Sequence, residues 1–168
     1  MPASPRRIGA TTSRTRDTLL DCVERMMLGE GYASISYRTL AAKAGVTASL
    51  VQYYFPTVDD VFIAAIRRYA ERNLAVFGAA LESRADPLRA LWEFSWEEAT
   101  SALMIEFMAL ANHRKSIRSE IAEVAERVRK VQVDALAAMF EDCAPVEVDL
   151  SLDALVLLIT GVPKFLIL

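Results

Sequence analysis

Residues 36–60, SYRTLAAKAGVTASLVQYYFPTVDD, leave the backbone few paths to follow. Three side chains that can cap a helix, Ser36, Thr47 and Thr57, stand close together, and each precedes a run of helix-forming residues. Gly45 closes the first run, where a residue in the left-handed conformation is needed to turn the chain sharply. The second run, ASLVQYY, ends before Pro56, because a proline disfavours helix in the residue that precedes it. Asp59 and Asp60 then sit in the first turn of a third run, where the helix dipole favours acids.

Two short helices meeting at a glycine corner form a helix-turn-helix, in which the second helix lies in the major groove of DNA and the first crosses the backbone. The face pattern agrees. Leu40, Ala41, Ala44, Val46, Val51 and Phe55 can pack inward, which leaves Ala48, Ser49, Gln52 and Tyr53 pointing out. An ordinary solvated face would carry Lys or Glu. Small, amide and phenolic groups suit close approach to base edges and phosphates.

The flanking sequence is helical throughout. Leu19, Leu20, Val23, Met26 and Met27 form one apolar stripe, closed by Gly29 and Gly31. These two glycines follow no strand, so they mark a helix end rather than a phosphate loop. Beyond Thr57 a fourth helix runs to about Leu81, carrying Val61, Phe62, Ala65, Ile66, Tyr69 and Phe77. Three more helices follow from Asp86, opened by Asp86-Pro87 and by Ser116. An eighth, LSLDALVLLITGVPKFLIL, is apolar on nearly every face and is expected to be buried. Either the chain continues past Leu168 in the natural protein or this helix packs on a second subunit. The fold class is all-α.

Composition narrows the function. Hydrophobic residues make up 54% of the 168 and charged residues 24%, an apolar excess that calls for a partner subunit or an internal apolar pocket. A net charge of −3 excludes coating of nucleic acid or acidic membranes through bulk charge. The distribution is uneven: Arg6, Arg7, Arg14 and Arg16 precede any acid, whereas residues 61–168 hold 12 basic and 16 acidic residues. Cys22 and Cys143 are too isolated for a disulfide framework, which fits a reducing cytoplasm. IGATTSRTR after Arg6-Arg7 is no secretory h-region, and ALVLLITGVPKFLIL is interrupted by Gly161, Pro163 and Lys164 and is too short to span a bilayer. With one histidine, no G-x-S-x-G, no zinc-type cysteine pair and no P-loop, the parts of nucleophilic, metal and phosphoryl-transfer mechanisms are missing. No catalytic residue, metal or cofactor is expected.

Residues 15–69 resemble the DNA-binding domain of TetR-family transcriptional regulators, through the amphipathic first helix, GY after it, the LAAKAGVTASL corner, YYF, and an acid-rich start to the fourth helix. The resemblance implies three parts: a basic arm at 1–14, a helix-turn-helix domain at 15–56, and a helical effector-binding and dimerisation domain at 57–168. It implies a homodimeric, cytoplasmic repressor that binds a palindromic double-stranded operator and is released by a small hydrophobic effector. Thr47 and Tyr53 match phosphate-holding positions; Ala48, Ser49 and Gln52 match base-reading ones, and Gln52 can pair bidentately with adenine. Ser36, Arg38, Tyr54 and Thr57 complete the DNA-facing set, although Tyr54 can instead pack under the motif. Many relatives carry a basic residue in place of Ala48 and a lysine in place of Val58; their absence here implies fewer protein charges on phosphate and a gentler salt slope, unless Arg6, Arg7, Arg14, Arg16, Arg38 or Lys43 compensate.

For the effector pocket, the abundance of large apolar side chains points to Trp92, Phe94, Trp96, Met104, Phe107, Met108, Met139 and Phe140. His113, Arg114, Lys115 and Arg118 form either a solvated helix junction or a seat for an anionic head group, and the junction is the simpler assignment. The alternative to a regulator is a helical protein-interaction module without DNA binding.

Overall fold

The structure, a computed structural model, describes the backbone of residues 6–83, 86–96, 98–141 and 150–166, with side chains for 14–82, 86, 88–96, 102–138 and 150–163. All regular structure among these residues is helical: α1 (Arg6–Glu30), a 3₁₀ turn (Tyr32–Ser34), α2 (Tyr37–Ala44), α3 (Ala48–Tyr54), α4 (Val58–Ser83), α5 (Pro87–Ser95), α6 (Glu98–Ala111), α7 (Lys115–Glu141) and α8 (Leu152–Leu166). The segment expected as an arm is helical from Arg6 onward and continues into α1.

The caps act where the sequence places them. The Ser36 hydroxyl accepts from the Thr39 N–H at 3.2 Å while the Ser36 N–H donates to the Thr39 hydroxyl at 2.9 Å, a reciprocal capping box. Gly45 adopts φ 68°, ψ 31°, and its N–H returns to the carbonyls of α2. Thr47 accepts from the Leu50 N–H at 3.3 Å. Asp86 caps α5, with Pro87 at its first position. Ser116 departs from expectation: α7 already begins at Lys115, and the Ser116 hydroxyl donates to the Asp59 carboxylate rather than capping its own helix.

One hydrophobic cluster runs through both the head and the body. Leu19, Leu20, Val23, Met26 and Met27 of α1 meet Leu40, Val51 and Phe55 of the helix-turn-helix and Val61, Phe62, Ala65, Ile66 and Tyr69 of α4. The same cluster takes in Leu103, Phe107 and Leu110 of α6 and Ile117, Ile121 and Val124 of α7. A smaller cluster, Phe77, Leu91, Leu136 and Val156, closes the far ends of α4, α5, α7 and α8. At about 25 cal/mol per Å² of apolar area, burial on this scale is the main force holding the helices together.

Ion pairs fix how the helices face one another. Arg68 meets Asp21 at 2.7 Å and Glu24 at 2.9 Å, and Arg72 meets Glu24 at 2.9 Å, tying α4 to α1. Arg67 grips Glu120 with two bonds of 2.7 Å, tying α4 to α7. The expected burial of α8 is incomplete. Val156 is enclosed, yet Leu157 is 62% exposed and Leu158 52%, with Val162 also open.

Candidate functional site

The outward side of α3 is built by what lies beneath it. Leu40, Ala41, Val51 and Phe55 are buried, and Ala44 and Val46 pack partly against them, so Ala48, Ser49, Gln52 and Tyr53 have no inward option and are exposed. Tyr53 is 74% exposed, a large apolar ring with no burial to explain it. Its edge meets Tyr54 at 5.3 Å between ring centres, while Tyr54 itself packs partly on the core.

Two residues hold the far end of α3: Tyr37, which sequence reasoning passed over, and Arg16, which it placed among the candidate phosphate charges. The Tyr37 hydroxyl donates to the Phe55 carbonyl at 3.0 Å, locking the exit of α3 to the start of α2, and burial followed by the nearby Asp60 pushes the Tyr37 phenol above its ordinary pKa. The Arg16 guanidinium lies 5.5 Å from the centre of the Phe55 ring, which brings the basic end of α1 beside the same corner. An aromatic residue directly after a capping serine is the signal that could have identified Tyr37.

The other DNA-facing candidates differ in how free they are. Arg38 is exposed and has no ion-pair partner among the described residues. Lys43 is paired with Glu30 at 2.5 Å on the surface. Ser36 is occupied by its capping box. At Thr57 both the N–H and the hydroxyl donate to the Asp60 carboxylate, at 2.8 and 2.7 Å, and the hydroxyl accepts from the Asp60 N–H in return. The side chains of Arg6 and Arg7 lie outside the described residues.

The basic cluster at the α6–α7 junction joins the body to the head. Arg114 pairs with Asp59 in the first turn of α4, 55 positions away, and lies 5.6 Å over the Phe62 ring. His113 faces Tyr32, with ring centres 6.3 Å apart. The hydrogen bond from Ser116, ahead of the Arg114 charge, holds the Asp59 carboxyl below its usual pKa against the opposing effect of burial.

A cavity of about 330 Å³ lies among α4, α5, α6, α7 and α8. Its apolar wall includes Tyr69, Phe94, Met104, Val128 and Val156; Asn73, Ser95 and Gln132 add polar groups. Of the side chains expected to line a pocket, Phe94 and Met104 do so, and that of Met139 lies outside the described residues. Phe107 is core, packed edge-on against Tyr69 at 5.7 Å, while Trp92, Trp96 and Met108 are exposed, the two tryptophans 5.5 Å apart. The Phe140 side chain lies outside the described residues. The described residues contain no cluster of three metal-ligating side chains and no helix long and apolar enough to cross a membrane.

No protein-family model matches this chain, and no curated protein sequence matches it. Solved structures do. A Rhodococcus protein assigned to the TetR family of transcriptional regulators superposes with a TM-score of 0.77 at 17% identity, over 92% of this chain and 86% of that one. The fatty acid degradation regulator FadR of Bacillus halodurans gives 0.77 at 16% identity, over 99% and 84%. A transcriptional regulator from Saccharomonospora viridis, solved in complex with choline, gives 0.75 at 20% identity, over 90% and 84%. The eight α-helices among the described residues, in this order and with a capped glycine corner between the second and third, give the chain the fold of the TetR-family transcriptional regulators.

Proposed function

We propose that the chain regulates transcription in the cytoplasm, most simply as a repressor. As a homodimer it sets two copies of α3 into successive major grooves of a palindromic operator, about 34–36 Å apart. The observation that carries this reading is the α3 face itself: Ala48, Ser49, Gln52 and Tyr53 stand exposed and uncharged on a helix whose two ends are fixed by Thr47 and Tyr37. Gln52 reads a base, with adenine the best partner for its amide. Tyr53 and the Thr47 hydroxyl hold phosphates, and Arg14, Arg16 and Arg38 supply charge around them. Thr57 meets a phosphate only by giving up Asp60, so its share is small.

The open face of α8, with Leu158 and Val162, is the natural seat for the second subunit, since an apolar helix face of this kind is seldom left in water. A small, mainly apolar molecule held in the cavity acts as effector. It needs only a preference of a few kcal/mol for one spacing of the two heads to shift the dimer between DNA-competent and released forms. That one neighbour in fold was solved with choline and another is named for fatty acid degradation supports a small organic effector in general terms.

Selection of bound sequences from a random duplex pool tests the reading. Enrichment of an inverted repeat is the expected result. A pool that stays random, with equal retention of scrambled duplexes, overturns it and favours a protein-interaction module that tolerates alanine at Gln52 and Tyr53.

A further inference from the structure

Two carboxamides in the cavity wall have no hydrogen-bond partner among the described residues. Asn73 of α4 is 9% exposed and Gln132 of α7 is 5% exposed, both line the cavity, and neither side-chain amide bonds to another group among the described residues. Both amides line the cavity, and neither is fully sealed from solvent. A buried amide left without a partner costs free energy, and the position is sustainable only where something else supplies the bonds. Water does so in an empty cavity; a ligand does so in a filled one.

The remaining polar groups restrict what that ligand is. The Ser95 hydroxyl donates to the Leu91 carbonyl at 2.7 Å and the Thr160 hydroxyl to the Val156 carbonyl at 2.9 Å, so each offers the cavity lone pairs but no proton. The charges at the cavity wall are paired: Arg129 donates to Glu126 at 2.9 Å and also pairs with Asp153, and the surplus negative charge of this trio lies on carboxylates that are 65% and 53% exposed to solvent. No enclosed counter-charge is left over to meet an ion. A charged guest would lose its hydration without gaining a counter-charge, which is strongly unfavourable in an apolar enclosure.

Resting on the regulator reading above for its biological use, but not for its chemistry, we infer that this cavity binds an uncharged compound with an apolar body and one group that both donates and accepts a hydrogen bond, such as a neutral carboxamide or alcohol. Asn73 and Gln132 are the residues that recognise that group. The body rests against Tyr69, Phe94, Met104 and Val128. A volume of 330 Å³ has room for about ten water-sized groups, a small ligand rather than a long acyl chain.

Three probes with one body test this on the full-length chain without DNA: phenylbutanamide, phenylbutanoate and phenylbutyltrimethylammonium, with choline as a second cation. Saturation-transfer NMR and calorimetry are expected to show the amide binding at least about tenfold more tightly than any of the ions. Asn73→Leu and Gln132→Leu each weaken the amide by about tenfold while raising affinity for plain butylbenzene, a reversal that mere loss of structure would not produce. Tighter binding of any ion, no transfer from the amide, or amide binding unchanged in both leucine variants overturns the inference. Operator affinity is measured separately. If the amide binds but leaves operator affinity unaltered, the ligand assignment stands and the effector role falls.

Discussion

The backbone N–H of Tyr32 donates to the Glu106 carboxylate at 3.1 Å, joining the exit of α1 to the middle of α6 across 74 positions. Gly31 makes this approach possible by taking φ 77°, and a Cβ there would stand 3.8 Å from the same carboxylate oxygen. The cavity wall includes Met104, two residues before Glu106 on α6, so the bond connects the cavity's neighbourhood to the helix-turn-helix head. Glu106→Ala leaves a partly buried N–H without its charged acceptor and is expected to cost about 1.5–3 kcal/mol of stability by urea unfolding. The change in operator affinity on adding effector is expected to shrink in the same variant.

Gly45→Ala tests the corner by itself. Nothing lies within 4 Å of a Cβ placed there, so the cost is that of the left-handed backbone, about 1–2 kcal/mol. Gly45→Asn, although bulkier, is expected to cost less, because asparagine tolerates this conformation. Thermal unfolding of the two variants checks the order.

On DNA, Tyr53→Ala and Thr47→Ala are expected to weaken binding to every duplex, and Gln52→Ala chiefly to flatten sequence preference. The stability cost separates the first two. Tyr53 is open to solvent, so its loss should change stability by no more than about 0.5 kcal/mol, whereas Thr47→Ala removes the α3 cap at about 1 kcal/mol. Gel-shift titrations on matched and scrambled sites, with unfolding curves beside them, resolve the three.

Asp59 gives the protein a predictable acid limb. Its pKa is lowered in the folded state, first by the Ser116 hydroxyl and then by Arg114, so its stabilisation is complete above the ordinary Asp pKa of about 3.9 and is lost as pH falls through the lowered value. Asp59→Asn is expected to be less stable at neutral pH and to lose less stability below pH about 4 than the parent. Denaturation midpoints measured across acid pH check this.

Leu158→Lys and Val162→Lys on the open side of α8 are expected to leave the helical content intact and to shift sedimentation from dimer towards monomer. Operator affinity should fall with it, since one head alone reads half a site.

The head was legible because short-range rules dominate it. Ser36, Gly45 and Thr47 act through neighbours three or four residues away, and the inward set Leu40, Val51 and Phe55 follows from helical spacing alone. The cavity was not, because a count of aromatic residues does not say which helix faces which: Trp92 and Trp96 turned to solvent, and Phe107 turned into the core. A weaker signal was present. Asn73 stands midway between Tyr69 and Phe77, and Gln132 midway between Val128 and Leu136, each an amide four residues from an apolar neighbour on either side. A polar residue inside an apolar stripe marks a place where helices part, and chain-order reading gave it no weight. The Asp59 attachment to Arg114 and Ser116 spans more than fifty positions and leaves no local trace.

Since Leu20 and Phe55 share one interior with Phe107 and Ile117, the helix-turn-helix head has no separate floor of its own. Grafting it onto a foreign body at residue 57 would strip the underside of α1 bare and leave a greasy, half-formed fragment. A change of surface specificity in this fold must therefore proceed by repainting the outside of α3, not by trading whole heads.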